Sequence, residues 1–186
     1  MDKREIKSID AIYESFRVVL DKKDFKEITI QDILDDANVS RSTFYAHFCT
    51  KEDLVTKVCD SIFDHIFSNS LEKEKDHDFS NGCVFNYTAM IIHMFYHFRK
   101  EEDLINEIEK SSAKEIFNNR LKMRLHRLIS SCVSTHLFLI KDIPFELQVN
   151  QLSESFISLL LYWLSNGCKE SPEEEEKCFE KLYSNK

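Results

Sequence analysis

Glycine and proline are nearly absent from this sequence, with two of each among 186 residues. A chain so poor in glycine cannot build many tight turns or a glycine-rich phosphate loop. Without proline, helical runs go uninterrupted. Paired cysteines are missing too: Cys49, Cys59, Cys83, Cys132, Cys168 and Cys178 are scattered with no C-x-x-C spacing, so reduced thiols are expected. No long apolar run occurs. The longest, Phe156–Leu164, has nine residues and contains Ser158, whereas a membrane span needs about 20. The opening MDKREIKSID has no apolar core, so no signal peptide is expected. A cytoplasmic protein without membrane contact is expected. Positive charge is also in deficit, at −8 net, which is unlike a protein that binds nucleic acid over its whole surface. What is present is 42% hydrophobic and 31% charged residues, with 15 Phe. The composition predicts an all-α globular protein.

Apolar positions recur at steps of three and four. Over 4–21, Ile6, Ile9, Ile12, Tyr13, Phe16, Val19 and Leu20 form one face of a helix. Thr29, with Asp32 three residues on, signals a helix start, and Asn38 suits the left-handed residue that ends a helix. Ser40 caps a second short helix bearing Phe44, Tyr45 and Phe48. A longer helix starts at Lys51 and runs to about Leu71. The polar stretch 72–82 reads as a loop. Further helices are expected near 83–99, 101–112, 114–138, 145–166 and 173–184. Asn166-Gly167 closes the fourth of these five with a left-handed cap, and Ser171-Pro172 with Glu174 opens the last.

Two short helices joined by Ala37-Asn38-Val39-Ser40 form the pattern of a helix-turn-helix, whose second helix enters the major groove. Ile33, Ala37, Val39 and Phe44 are suited to bury the contact between them. The string TIQDILDDANVSRSTFYAHFCTKEDL resembles the DNA-binding domain of the TetR family of transcriptional regulators. It carries that family's opening Thr29, its Ala37-x-Val39-Ser40 turn, Phe44-Tyr45-x-x-Phe48 and Lys51-Glu52-x-Leu54. It departs from the family at Asn38, where Gly is usual, and at Cys49-Thr50. The resemblance implies a helix-turn-helix DNA-binding domain over 1–50. Over 51–186 it implies a helical ligand-binding and dimerisation domain, with 51–71 as connecting helix.

Roles follow from the resemblance. Arg41, Ser42 and Thr43 would reach base edges. Tyr45 and His47 would bond flanking phosphates, and Lys51 and Thr29 would hold phosphates at helix starts. Residues 1–60 hold 10 Lys or Arg against 13 Asp or Glu, so this region is itself net −3 and local donors must do the binding.

Residues 83–186 carry no generic motif. Phe156–Leu164 is apolar almost all round, which predicts burial on more than one side. The ending YWLSNGCKESPEE is similar to a TetR subgroup of low-GC Gram-positive bacteria, one branch of which activates dihydroxyacetone-kinase genes. The resemblance implies a homodimer built on the last two long helices, with Phe156, Leu159, Leu160, Trp163, Phe179 and Leu182 at the interface or in the adjoining core. Tyr87, His93, Tyr96, His97, Phe117 and Cys132 are candidates for lining an effector pocket, though the same side chains also suit a plain core. His93 and His97 share a helix face at metal-ligand spacing, but no third ligand follows, and no metal is assigned. With no catalytic triad, paired acid or cofactor fingerprint, neither an enzyme nor a cofactor is expected. The expected partners are a palindromic DNA operator, a second copy of the chain and a small-molecule effector. The resemblance implies a repressor released by an effector bound in the C-terminal domain, and the activating branch leaves the direction of regulation open. The alternative is a helical ligand- or partner-binding protein whose DNA-binding domain no longer works.

Overall fold

The computed structural model describes residues 3–67, 87–134 and 140–183. Among them are nine α-helices, a 3-10 turn and no strand. The expected loop 72–82, and the expected helical residues 68–71, 83–86 and 135–138, lie outside the described residues. No helix among those described is long and apolar enough to cross a membrane.

The chain divides into two compact units, one of Met1–Ser61 with Asp103–Arg120, the other of Ile62–Glu102 with Leu121–Lys186. The first contains α1 (Lys3–Leu20), the 3-10 turn Phe25–Glu27, α2 (Ile30–Ala37) and α3 (Arg41–His47). It also takes the start of α4 (Lys51–Ile66), nearly all of α6 (Glu102–Lys110) and the start of α7 (Lys114–Ser134). Its core is built from the expected α1 face. Ile12, Phe16, Val19 and Leu20 are buried with Ile33, Phe44 and Phe48, whereas Ile6, near the start of α1, is exposed. The Phe16 ring meets Phe25 edge-on at 6.3 Å, and Phe44 meets Phe48 at 5.3 Å. Burying each such side chain is worth about 1.5–3 kcal/mol. Ser15, buried on the same face, donates its hydroxyl to the Ile33 carbonyl at 2.9 Å. That bond fixes α1 against α2.

The second unit contains the rest of α4, α5 (Tyr87–Lys100), the rest of α7, α8 (Phe145–Ser165) and α9 (Pro172–Tyr183). Helices α5, α8 and α9 pack together around Phe95, which lies 5.4 Å from the Phe156 ring and 5.1 Å, edge-on, from Trp163. Helix α8 ends in a Schellman arrangement: Gly167 N–H donates to Leu164 and Cys168 N–H to Trp163. The left-handed residues are Gly167 (φ 76°) and Cys168 (φ 47°), while Asn166 keeps φ −96°. Helix α9 opens with a full capping box, Ser171 N–H to Glu174 Oε2 at 2.8 Å and Glu174 N–H to Ser171 Oγ at 3.2 Å.

Candidate functional site

The helix-turn-helix forms as its residues dictate. Asn38 takes φ 52°, ψ 45° and sends its N–H back to the Leu34 carbonyl, which stops α2. Ser40 Oγ then accepts the Thr43 N–H at 3.1 Å and starts α3. Ile33, Leu34 and Phe44 bury the contact between the helices, with Ala37 and Val39 half-buried beside them.

The outer surface of α3 carries the expected readers. Arg41, Ser42 and Tyr45 are exposed, and Thr43 and His47 half-exposed. The Tyr45 ring stands edge-on to buried Phe44 at 5.5 Å, an anchor that leaves about half the side chain in solvent (49%). Ser42 and Thr43 hydroxyls lie 2.9 and 2.7 Å from Ser40 Oγ, so one capping residue organises both. The His47 carbonyl receives the Lys57 ammonium, and Lys57 also lies 3.3 Å from Asp53.

Two expected phosphate donors are committed elsewhere. Thr29 directs both its N–H and its hydroxyl to Asp32 Oδ2, each at 2.7 Å. The Lys23 ammonium lies 2.7 Å from the same oxygen. First that ammonium, then the Thr29 N–H and hydroxyl, hold the Asp32 carboxyl well below the usual carboxylate range. Both Thr29 donors face Asp32 in this DNA-free chain. The Lys51 ammonium donates to the carbonyls of Phe25, Lys26 and Ile28 at 2.8, 3.1 and 2.9 Å, and lies 4.7 Å over the Phe25 ring. An ammonium has three protons. All three are used in fastening the 3-10 turn to the start of α4.

A second fastening on that turn was not foreseen. Asp24 accepts the Ser112 hydroxyl at 2.7 Å, and Ser112 Oγ accepts the Lys26 N–H at 2.9 Å. These residues are 88 apart in sequence, and no local pattern marks the pair. Sequence reasoning also missed Gln31 on α2, whose amide contacts Arg41 at 2.9 Å and Asp35 at 2.7 Å.

The expected effector-lining residues are only partly gathered. His93 and His97 are buried on α5 with ring centroids 4.3 Å apart. Tyr96, on the same helix, donates its hydroxyl to Glu173 Oε1 at 2.9 Å, which together with burial raises its pKa. Phe117 is buried but belongs to the first unit. The Tyr87 and Cys132 side chains lie outside the described residues. No group of three or more His, Cys, Asp or Glu suited to a metal occurs among those described. A cleft of about 430 Å³ in the first unit is lined by Arg17, Asp21, Asp103, Glu107, Lys110 and their neighbours, and contains none of the six.

Of the expected interface residues, Phe156, Leu160, Trp163 and Phe179 are buried within a single chain. Phe156 meets Phe179 at 5.6 Å, and Trp163 Nε1 donates to the Glu170 carbonyl at 3.1 Å. They form the core of the second unit and offer no surface to a partner. Leu159 is half-buried and Leu182 is exposed. Nor is α8 buried all round, because Leu147, Gln151, Glu154, Ser158 and Tyr162 make an open stripe. On it Tyr162 is 66% exposed.

Comparison with known proteins follows the two halves of the chain. The description "Bacterial regulatory proteins, tetR family" matches residues 11–58, and "Transcriptional regulator C-terminal region" matches residues 86–185. The HTH-type transcriptional regulator YxbF of Bacillus subtilis is 37% identical over 71 residues, 36% of this chain and 19% of YxbF, so the match spans about a fifth of that protein. The biofilm operon icaADBC negative transcriptional regulator IcaR of Staphylococcus epidermidis is 26% identical over 156 residues, covering 83% of this chain and 79% of IcaR. A TetR transcriptional regulator from Streptococcus agalactiae superposes with a TM-score of 0.74 at 28% identity, over 98% of this chain and 96% of the other.

Proposed function

The chain belongs to the TetR family of transcriptional regulators, and from that premise we propose that it is a homodimeric repressor, released from a palindromic operator by a small-molecule effector. The observation that carries this reading is the outer surface of α3. Arg41, Ser42, Thr43, Tyr45 and His47 all lie at least partly in solvent there, while Phe44 and Phe48 hold the helix from beneath. Arg41, Ser42 and Thr43 read base edges; Tyr45 and His47 bond flanking phosphates. Thr29 and Lys51 act behind the interface, fixing the helices that carry it.

Two recognition helices about 35 Å apart read a two-fold site and multiply the specificity of one. The dimer contact favoured here is the open stripe of α8, with Leu147 and Tyr162, and half-buried Leu159 beside it, together with Leu182 of α9. Leu147 and Tyr162 on α8 and Leu182 on α9, large apolar side chains left exposed, support it. The repressor direction rests on the likeness to IcaR, a negative regulator. For the effector, the supporting feature is the His93–His97 pair with Tyr96 on α5. Its binding would shift the dimer toward a state whose recognition helices are misplaced for successive grooves.

A helical ligand- or partner-binding protein that no longer reads DNA is favoured by one observation, the −3 charge over residues 1–60. Fluorescence anisotropy against tiled duplexes from the flanking intergenic DNA separates the two. Tight, salt-sensitive binding to one palindromic tile, abolished by Tyr45→Ala, supports the regulator. Absence of specific binding to any genomic fragment in a pull-down supports the alternative.

A further inference from the structure

Arg41 is the first residue of the recognition helix, and its guanidinium does not stand alone. Its Nη2 donates to Gln31 Oε1 at 2.9 Å, and Gln31 Nε2 in turn donates to Asp35 Oδ1 at 2.7 Å. The polarity of this chain is fixed by chemistry. A carboxylate only accepts and a guanidinium only donates, so Asp35 turns the Gln31 amide with its nitrogen inward along α2 and its oxygen toward Arg41. An amide flip would set donor against donor and acceptor against acceptor. All three side chains belong to the first unit, and Gln31 and Arg41 are exposed. The contact lies at the surface, and its effect falls on where the guanidinium sits. Of the five N–H donors of Arg41 one is engaged, which leaves others for a two-pronged contact.

We propose that Gln31 is a positioning residue for base recognition: held by Asp35, it orients Arg41 so that the guanidinium meets the O6/N7 edge of a guanine in each half-site. The inference rests on the DNA-reading function proposed above and adds a specificity determinant on the supporting helix. An arginine already held in one geometry loses less freedom when it docks on a base. Freeing it lowers discrimination at that base pair about three- to tenfold, while phosphate contacts, and with them non-specific affinity, are untouched.

The test uses Gln31→Met, which keeps side-chain length and helix propensity but removes the acceptor. Arg41→Ala and the double variant complete the set. In the DNA-free full-length protein, NMR of the Arg41 guanidinium reports slow rotation about its Nε–Cζ bond, and Gln31→Met makes that rotation faster. On the operator and its single-base variants, Arg41→Ala abolishes preference at one G·C pair per half-site. Gln31→Met weakens preference at the same pair, with binding to unrelated duplex and the salt slope unchanged. The double variant then discriminates no worse than Arg41→Ala. Unchanged guanidinium rotation, unchanged or sharper preference in Gln31→Met, or additive losses in the double variant would each overturn the proposal. Should the native protein bind no duplex specifically, the DNA-reading function fails and this assignment with it. Guanidinium rotation that responds as expected, beside normal binding and unaltered base preference, sinks the assignment alone.

Discussion

Replacing Lys51 by Met removes three charge-assisted bonds to the carbonyls of Phe25, Lys26 and Ile28, and a cation above the Phe25 ring. A hydrogen bond to a charged group contributes about 1.5–3 kcal/mol. The three share one donor atom and their deletions are not additive, and water reaches the half-buried site, so the sum is smaller than three such bonds. About 2–4 kcal/mol is the expected loss. For a chain of this length that corresponds to a fall in Tm of roughly 5–15 °C, read by far-UV circular dichroism. The salt dependence of DNA binding supplies the contrast. A lysine that neutralised a phosphate would, on removal, reduce the slope of log K against log salt by about one per subunit. The structure predicts no such change for Lys51→Met. A Tm within about two degrees of the native protein, with a shallower salt slope, would refute the assignment of Lys51 to the turn and return it to the phosphate backbone.

Asp32→Asn probes the cap of α2. The folded pKa of Asp32 lies below its ordinary 3.8, so its contribution is present above that value and lost as pH falls through the folded one. The variant melts below the native protein at neutral pH, and the gap closes toward roughly pH 2. Glu175 behaves in the opposite sense. Burial first, then Glu170 and Glu174, raise its pKa above the ordinary 4.5, so its stabilising contribution exists below that value and fades as pH rises through the folded one. Glu175→Gln therefore raises Tm at neutral pH and converges with the native protein near about pH 4, followed by fluorescence of the single Trp163. At Asn38, with φ 52°, Gly is tolerated, whereas Ala lowers stability by about 1 kcal/mol, or about 2–4 °C in a thermal melt.

Much of the helix framework was legible because it depends on near neighbours. Apolar steps of three and four mark α1, and Thr29, Ser40 and Ser171 cap helices as their residue types imply. Asn38 ends α2 for the backbone reason foreseen. Contacts between distant segments were not legible. Lys51 looked like a phosphate ligand because its motif position implied one, yet the carbonyls that hold it come from a turn 23–26 residues earlier. Thr29 was given the right structural place, but its donors turn inward to Asp32. The open face of α8 was harder to read for a different reason: over Phe156–Leu164 the helix is apolar almost all round, and the polar residues that mark its open side, Gln151 and Glu154, lie before that segment. Phe156 and Trp163 pack on Phe95, and that orientation depends on α5, which α8's own sequence does not report.

The internal use of cations near the recognition helix bears on timing. Lys51 is fastened to backbone carbonyls, Lys23 to Asp32 and Lys57 to Asp53, within a region that is net −3. Such a surface draws a polyanion in from a distance only feebly. Encounter with DNA then proceeds near the unsteered rate of about 10⁵–10⁶ M⁻¹s⁻¹, rather than the 10⁸–10⁹ reached by strongly complementary surfaces. On the DNA-reading function proposed above, occupancy of a promoter comes from long residence once the short-range contacts of α3 are made. On that proposal the regulator responds on the clock of its own dissociation, and the proposed effector acts by shortening the dwell time, without altering how often the site is found.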